Sequence, residues 1–203
     1  MTDNSITRIG LLQHGAVEAG DVFCGELETP LSKPGWKYLK QRFGRSQPEW
    51  DAVITSPKMQ CVAFAEWFAQ KHDLPLMRDE RLQEIHFGEW EGCSPQQIVQ
   101  QHPEQVAEWW VNPAQVLPAG GESFGDFRAR VLDAWTEMPR TWRGERVLVV
   151  THAMVIRTIL AYVLQVPDER LLAFNIEYGS LTSLRVLRDR NGEWTSLLSH
   201  GCG

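Results

Sequence analysis

Two histidines in this chain each close an apolar run and open a turn. His14 ends "IGLLQHG" and His152 ends "VLVVTHA". A side chain at such a corner is displayed where a nucleophile or a ligand belongs. Neutral imidazole near pH 7 is a competent nucleophile and proton carrier. A third polar stretch, Ser56 to Gln60, follows the run "DAVIT". The residue before His14 is the uncharged Gln13, so no cation adjoins that imidazole in sequence. Four cysteines, Cys24, Cys61, Cys93 and Cys202, show no Cys-x-x-Cys spacing and read as reduced thiols. His72, His102 and His200 stand in polar contexts, and nothing groups them at metal-ligand spacing, so no metal is expected.

The elements that must position these residues can be read from periodicity. Residues 7–13 read as a short buried strand, 50–57 as a second one stopped by Ser56-Pro57, and 147–150 as a continuous apolar strand. The C-terminal stretch reads as two strands joined by Asn191-Gly192. One helix starts after Ser32 as N-cap, with Trp36, Leu39 and Phe43 at helical spacing. A second, over 58–72, gathers Cys61, Phe64, Ala65 and Phe68 near one face. "PAGGES" precedes a third, with Glu122 and Ser123 as expected caps, and His152 opens a fourth. Strands alternating with helices imply an α/β domain with a mostly parallel sheet, whose ligands sit beyond the carboxyl ends of the strands. The spacing predicts one domain over 1–203, with a Gln- and Trp-rich helical insertion at about 94–118 over one sheet edge. Trp109, Trp110 and Trp135 are expected to be packing residues rather than a substrate wall.

Bulk properties exclude several classes. Apolar residues make up 43% of the chain and charged residues 23%, which is a globular composition. The net charge of −6 disfavours nucleic acid, whose phosphates want clustered Lys and Arg. No run approaches the length of a membrane span, and the N-terminus lacks a signal-peptide pattern. The expectation is a cytoplasmic protein acting on a small molecule, without nucleic-acid or membrane partners. Its oligomeric state cannot be read from the sequence.

The ordered segments "LLQHGAVEAG", "FCGELETPLSKPG", "VITSPKMQC", "RLQEIHFGEWEG", "PAGGESF" and "VLVVTHAMVIRTIL" resemble the histidine phosphatase superfamily, in its phosphoglycerate mutase-like branch. Within it the chain is similar to alpha-ribazole phosphatase-like proteins. The resemblance implies a three-layer α/β/α sandwich and no cofactor. It implies that His14 is the nucleophile that becomes phosphohistidine and that His152 is the second pocket histidine. Glu84 would be the acid that protonates the leaving group and then activates water. The pocket would be lined by Gln13, Gly15, Ala16, Gly25, Met59, Gln60, Ala153 and Met154.

The same resemblance exposes departures. Two arginines expected to carry the transferred phosphoryl charge are replaced by Gln13 and Gln60, which lack charge and the bidentate fork. Ala16 stands where a carboxylate is common, and Met154 where a small glycine is common. Losing one transition-state donor costs roughly 10²–10³ in rate. The leading expectation is therefore a pocket repurposed, by nature or by design, for an uncharged substrate such as an activated ester. Cys24 is then a speculative nucleophile, should it pair with His14 or His152. One alternative is a weakened phosphomonoesterase in which Lys58 or Arg157 supplies part of the field. Another is a non-catalytic ligand- or protein-binding descendant.

Overall fold

The computed structural model describes residues 5–44, 49–116 and 118–201. Cys202 lies outside them. The elements run β1 (Ser5–Gln13), α1 (Lys33–Phe43), β2 (Ala52–Thr55), α2 (Met59–His72), β3 (Leu76–Arg78), α3 (Pro95–Gln101), α4 (Pro103–Val111), α5 (Phe124–Thr141), β4 (Arg146–Thr151), α6 (Ala153–Leu164), β5 (Leu181–Asp189) and β6 (Gly192–His200). The strands form one sheet in the order β3-β2-β4-β1-β5-β6. β1, β2, β3 and β4 pair in parallel, while β5 and β6 add an antiparallel edge. The stretch from residue 75, which reads from sequence as extended and then looping, supplies the short β3, whose three residues carry no alternation to mark a strand.

The apolar runs of β1 and β4 are continuous because both of their faces are buried. Ile9, Leu11, Val147 and Val149 face the core shared with α5 and α6. Leu12, Leu148 and Val150 face the other core, against Leu39 of α1 and Cys61, Phe64, Ala65 and Phe68 of α2. Helices on both faces of a mainly parallel sheet make the three-layer α/β/α sandwich. Trp135 lies in the first of these cores.

Local chemistry sets the element ends. Ser32 caps α1 by accepting from Gly35 N at 3.1 Å. Ser123 caps α5 by accepting from Asp126 N at 3.1 Å. Glu122 makes no cap; its carboxylate is drawn to a nearby guanidinium instead. The β5–β6 turn is one residue earlier than expected. Arg190 and Asn191 form it, Asn191 N donates to Asp189 Oδ1, and Gly192 already pairs with Asp189.

The ladder between β1 and β4 sets up the site. Gln13 is in register with Thr151, so the next residues, His14 and His152, emerge side by side from neighbouring strands. His14 N donates to Thr151 O at 3.1 Å. Gly35 at the start of α1 lets the helix press on the loop after His14, since a Cβ there would sit 2.2 Å from Ala16 O. Among the described residues, no helix is long and apolar enough to cross a membrane.

Candidate active site

A cavity of about 360 Å³ opens at the carboxyl ends of β1 and β4. Its lining includes Gln13, His14, Cys24, Glu84, Ala153, Met154 and Arg157. His14 is buried, with its ring centroid 5.2 Å from that of His152 and 5.5 Å from that of Tyr178. Its Nδ1 lies 2.9 Å from Gly15 O. A carbonyl oxygen only accepts, so Nδ1 holds the proton and Nε2 keeps its lone pair. Burial pushes the imidazole down to about 4, so it is neutral at ordinary pH. An imidazole that is neutral, oriented and basic at Nε2 is what nucleophilic attack requires.

His152 is fully buried beside it. Its Nε2 lies 2.8 Å from Ser56 Oγ and 3.5 Å from Cys61 Sγ. Its Nδ1 is buried without a protein partner. The Ser56 hydroxyl can donate to Nε2, which puts the ring proton on Nδ1; His152 sits beside His14 but does not itself line the cavity. Burial, then the neighbouring His14, hold this imidazole well below its ordinary value.

Glu84 sits in the loop after β3. One carboxylate oxygen accepts from Ile85 N at 3.0 Å and the other from Met154 N, in the first turn of α6, at 3.1 Å. Burial raises its carboxyl to about 7 despite these bonds. A carboxylic acid poised there can give a proton and take it back. Arg130 of α5 clamps the loop. It donates to the carbonyls of Arg81 (2.9 Å), Gln83 (2.7 Å) and Glu84 (3.0 Å), and to both oxygens of Glu122 at 2.7 Å each. Arg130 thus positions the acid from a helix some fifty residues away. Sequence reading missed this, because carbonyl partners leave no residue signature.

The titration of these two groups fixes a pH window. Above about 7 Glu84 is ionised and has no proton to give, and below about 4 His14 gains one on Nε2. For a substrate whose leaving group needs a proton, kcat/KM is expected to be level between these values and to fall on both sides. Glu84→Gln should lower the plateau by roughly 10²–10⁴ and erase the upper limb. An upper limb unchanged in that variant would assign it to another group.

The remaining expected site residues divide. Gly15 and Ala16 shape the turn, Gly15 through its carbonyl and Ala16 by accepting from Ser32 N and Oγ. Gly25 is held by the Glu91 carboxylate, which also accepts from Glu26, Leu27 and Phe87 backbone amides. Gly15, Ala16 and Gly25 do not line the cavity. Met59 is a correction. It is 46% exposed, outside the lining, and its N donates to the Glu28 carboxylate. The first turn of α2 points it to solvent while Gln60 and Cys61 face inward. Gln60 is wholly buried and does not line the cavity; neither of its amide atoms has a partner, and Gln13 Oε1 also lacks one.

Cys24 does line the cavity, but the expected dyad does not form. Its thiol makes no hydrogen bond to His14 or His152 among the described residues, and burial, with Glu91 next, pushes it up to about 11. It is a thiol rather than a thiolate at neutral pH. Lys58 reaches the Glu26 carbonyl at the surface instead of the cavity. His86 faces Glu26 at 3.6 Å, outside the cavity.

The aromatic wall is a further correction. Trp109 and Trp110 both line the cavity, with Phe23, Phe87, Leu172, Ile176 and Tyr178. Trp109 packs on Phe23 and Trp90, with centroids 5.8 and 5.9 Å apart. Helical spacing could not show that α4 carries this face over the strand ends. Tyr178 belongs to no motif; Gly179, by donating to both Gln13 O and His14 O, holds the chain there. Among the described residues no group of three or more His, Cys, Asp or Glu side chains could hold a metal ion.

Fold and site together define a class: an α/β/α scaffold that sets two buried histidines side by side at the crevice between two central parallel strands. The chain belongs to the histidine phosphatase superfamily, branch 1, whose family model matches residues 9–198. It is 29% identical over 192 residues to a bifunctional protein of Mycobacterium tuberculosis, covering 90% of this chain and 51% of that protein. The chain thus spans about half the length of the mycobacterial relatives it matches. It is 26% identical over 189 residues to the adenosylcobalamin/alpha-ribazole phosphatase of Salmonella typhimurium, covering 88% of this chain and 90% of that one. Among solved structures, Bacillus stearothermophilus YhfR superposes with a TM-score of 0.86 at 29% identity, covering 97% and 98% of the two chains. A mycobacterial glucosyl-3-phosphoglycerate phosphatase gives 0.83 at 25% identity, covering 98% and 100%.

Proposed function

We propose that this chain is a hydrolase of a small molecule whose reacting group is uncharged, an activated ester being the simplest case. The observation that carries this is the neutrality of the groups at positions 13 and 60. Where the family resemblance leads one to expect guanidinium forks, the chain holds two buried amides with unpartnered acceptor oxygens. An ionised phosphoryl group would bring charge to the histidine pair that neither amide can balance, and Arg157 is the one arginine or lysine in the cavity lining among the described residues. A neutral carbonyl substrate carries no such charge into the pocket.

His14 Nε2 would attack the carbonyl carbon, and the C–O bond to the leaving group would break as Glu84 transfers its proton to the departing oxygen. The acyl-imidazole left on His14 is then cleaved by water, whose proton Glu84 takes. The donor for the developing oxyanion would be His152 Nδ1–H, which has no protein partner but lies outside the cavity lining, so the substrate oxygen must reach it past His14. Cys24 is not needed.

A second reading, a slow phosphomonoesterase working through phosphohistidine at His14, is favoured by the completeness of the His14, His152 and Glu84 set. One experiment separates the two. Hydrolysis of a nitrophenyl ester and of nitrophenyl phosphate is measured across the pH window above. Ester turnover above the uncatalysed rate, with phosphate at background, is the expected result. Phosphate turnover well above background would overturn the proposal in favour of the second reading.

A further inference from the structure

Among the described residues Arg157 is the one arginine or lysine in the lining of this cavity, and it makes no direct ion pair. It sits on α6, one turn beyond Met154. Its Nε donates to Phe174 O at 3.0 Å, and Nη1 lies 3.9 Å from Met154 Sδ. Among the described residues no carboxylate comes within ion-pair distance of it, whereas Arg81, Arg128, Arg130 and Arg146 are each paired. Burial works against its charge, and the Glu84 carboxylate supports it from beyond ion-pair distance. A guanidinium partly withdrawn from water without a direct ion pair is a standing cost to the fold. It is recovered when an anion enters, and the fork geometry of Arg suits a carboxylate.

The rest of the lining says what that anion is attached to. Phe87, Trp109, Leu172 and Ile176 offer an apolar wall. Asp21 and Glu177 also line the cavity, and Glu177 is held by Asn175 Nδ2 at 3.1 Å. Those acids oppose a polyanion.

We propose that the cavity takes a small molecule with an apolar body and a single carboxylate, the carboxylate docked on Arg157 and the body against the Trp109 wall. This rests on the hydrolase reading for what happens next, since the reacting group would then be a neutral ester presented to His14. It does not need that reading for binding.

The test therefore uses binding without turnover. Quenching of tryptophan fluorescence is titrated with benzoate, with its neutral isostere benzamide, and with inorganic phosphate. Wild type is expected to bind benzoate saturably and about tenfold or more tightly than benzamide. Arg157→Gln should remove that preference while leaving benzamide binding in place. Arg157→Lys keeps the charge without the fork and should retain part of the preference, which covers the case in which the glutamine variant fails to fold. Equal affinity of wild type for benzoate and benzamide, or a preference intact in Arg157→Gln, would overturn the inference. Phosphate displacing benzoate at lower concentration than benzoate itself binds would also overturn it, by assigning the subsite to a phosphoryl group. Arg157-dependent benzoate binding in a protein that hydrolyses no ester would uphold the subsite and sink only the hydrolase reading.

Discussion

Alanine at position 14 is expected to bring ester turnover down to the uncatalysed rate, a loss of roughly 10⁴-fold or more, while the fold survives. A covalent nucleophile has no substitute in its own site, so its removal costs far more than the loss of one hydrogen bond. The backbone at this position is tied independently of the ring. His14 N donates to Thr151 O and His14 O accepts from Gly179 N. The ring itself lies between two rings, His152 and Tyr178, and lines a cavity that already exists. Truncation therefore enlarges that cavity, at a cost of about 1–3 kcal/mol typical of buried substitutions. Thermal unfolding of the variant should remain cooperative. Mass spectrometry of the acid-quenched wild type should show one acyl adduct on His14, absent from the variant. A variant that keeps both turnover and adduct, with the acyl group on Cys24, would move the nucleophile to the thiol.

How much of this was legible depends on what carries each feature. The two histidine corners could be read because apolar runs buried on both faces end abruptly in His-Gly and His-Ala. The helix of Cys61, Phe64, Ala65 and Phe68 was legible for a similar reason, since one period describes it. What could not be read was the pairing of strands. The register of Gln13 with Thr151 turns two separate corners into one site, and it is fixed by residues distant in sequence. Met59 was misjudged because successive helical positions turn by about 100°, so the inward arc that holds Gln60 and Cys61 leaves Met59 on the solvent side. Glu122 was taken for a cap because it precedes a helix; its charge is spent on Arg130, which holds the Glu84 loop through carbonyls no side-chain pattern encodes. The tryptophans were taken for core, and Trp109 is indeed buried, but α4 sets the same ring against the cavity. Amphipathic spacing reports that a face is covered without reporting what leaves a gap beside it.

Restoring the expected charge should convert the specificity. The double substitution Gln13→Arg and Gln60→Arg is expected to raise nitrophenyl phosphate hydrolysis by about 10³-fold or more, each placed donor being worth about 10²–10³ before non-additivity. On the proposed roles, His14 and Glu84 already line the cavity with His152 beside them, so the missing component is charge along the equatorial oxygens. The two sites are not equivalent. Gln13 lines the cavity and its replacement can reach a bound phosphoryl group directly. Gln60 is wholly buried, and a guanidinium there stays uncompensated until an anion arrives. The unliganded double variant should therefore melt below wild type, and inorganic phosphate should raise its melting temperature while leaving wild type unmoved. Added positive charge also favours the ionised form of Glu84, so the upper pH limb should shift down from about 7. Ester turnover should fall in the same variant, because buried cations without an anion make the pocket hostile to a neutral group. Should the double variant fold poorly, Gln13→Arg alone carries the same signs at smaller size. Stabilisation by phosphate without any gain in phosphate turnover would show that Ala16 and Met154, not the two amides, hold the pocket away from phosphoryl transfer.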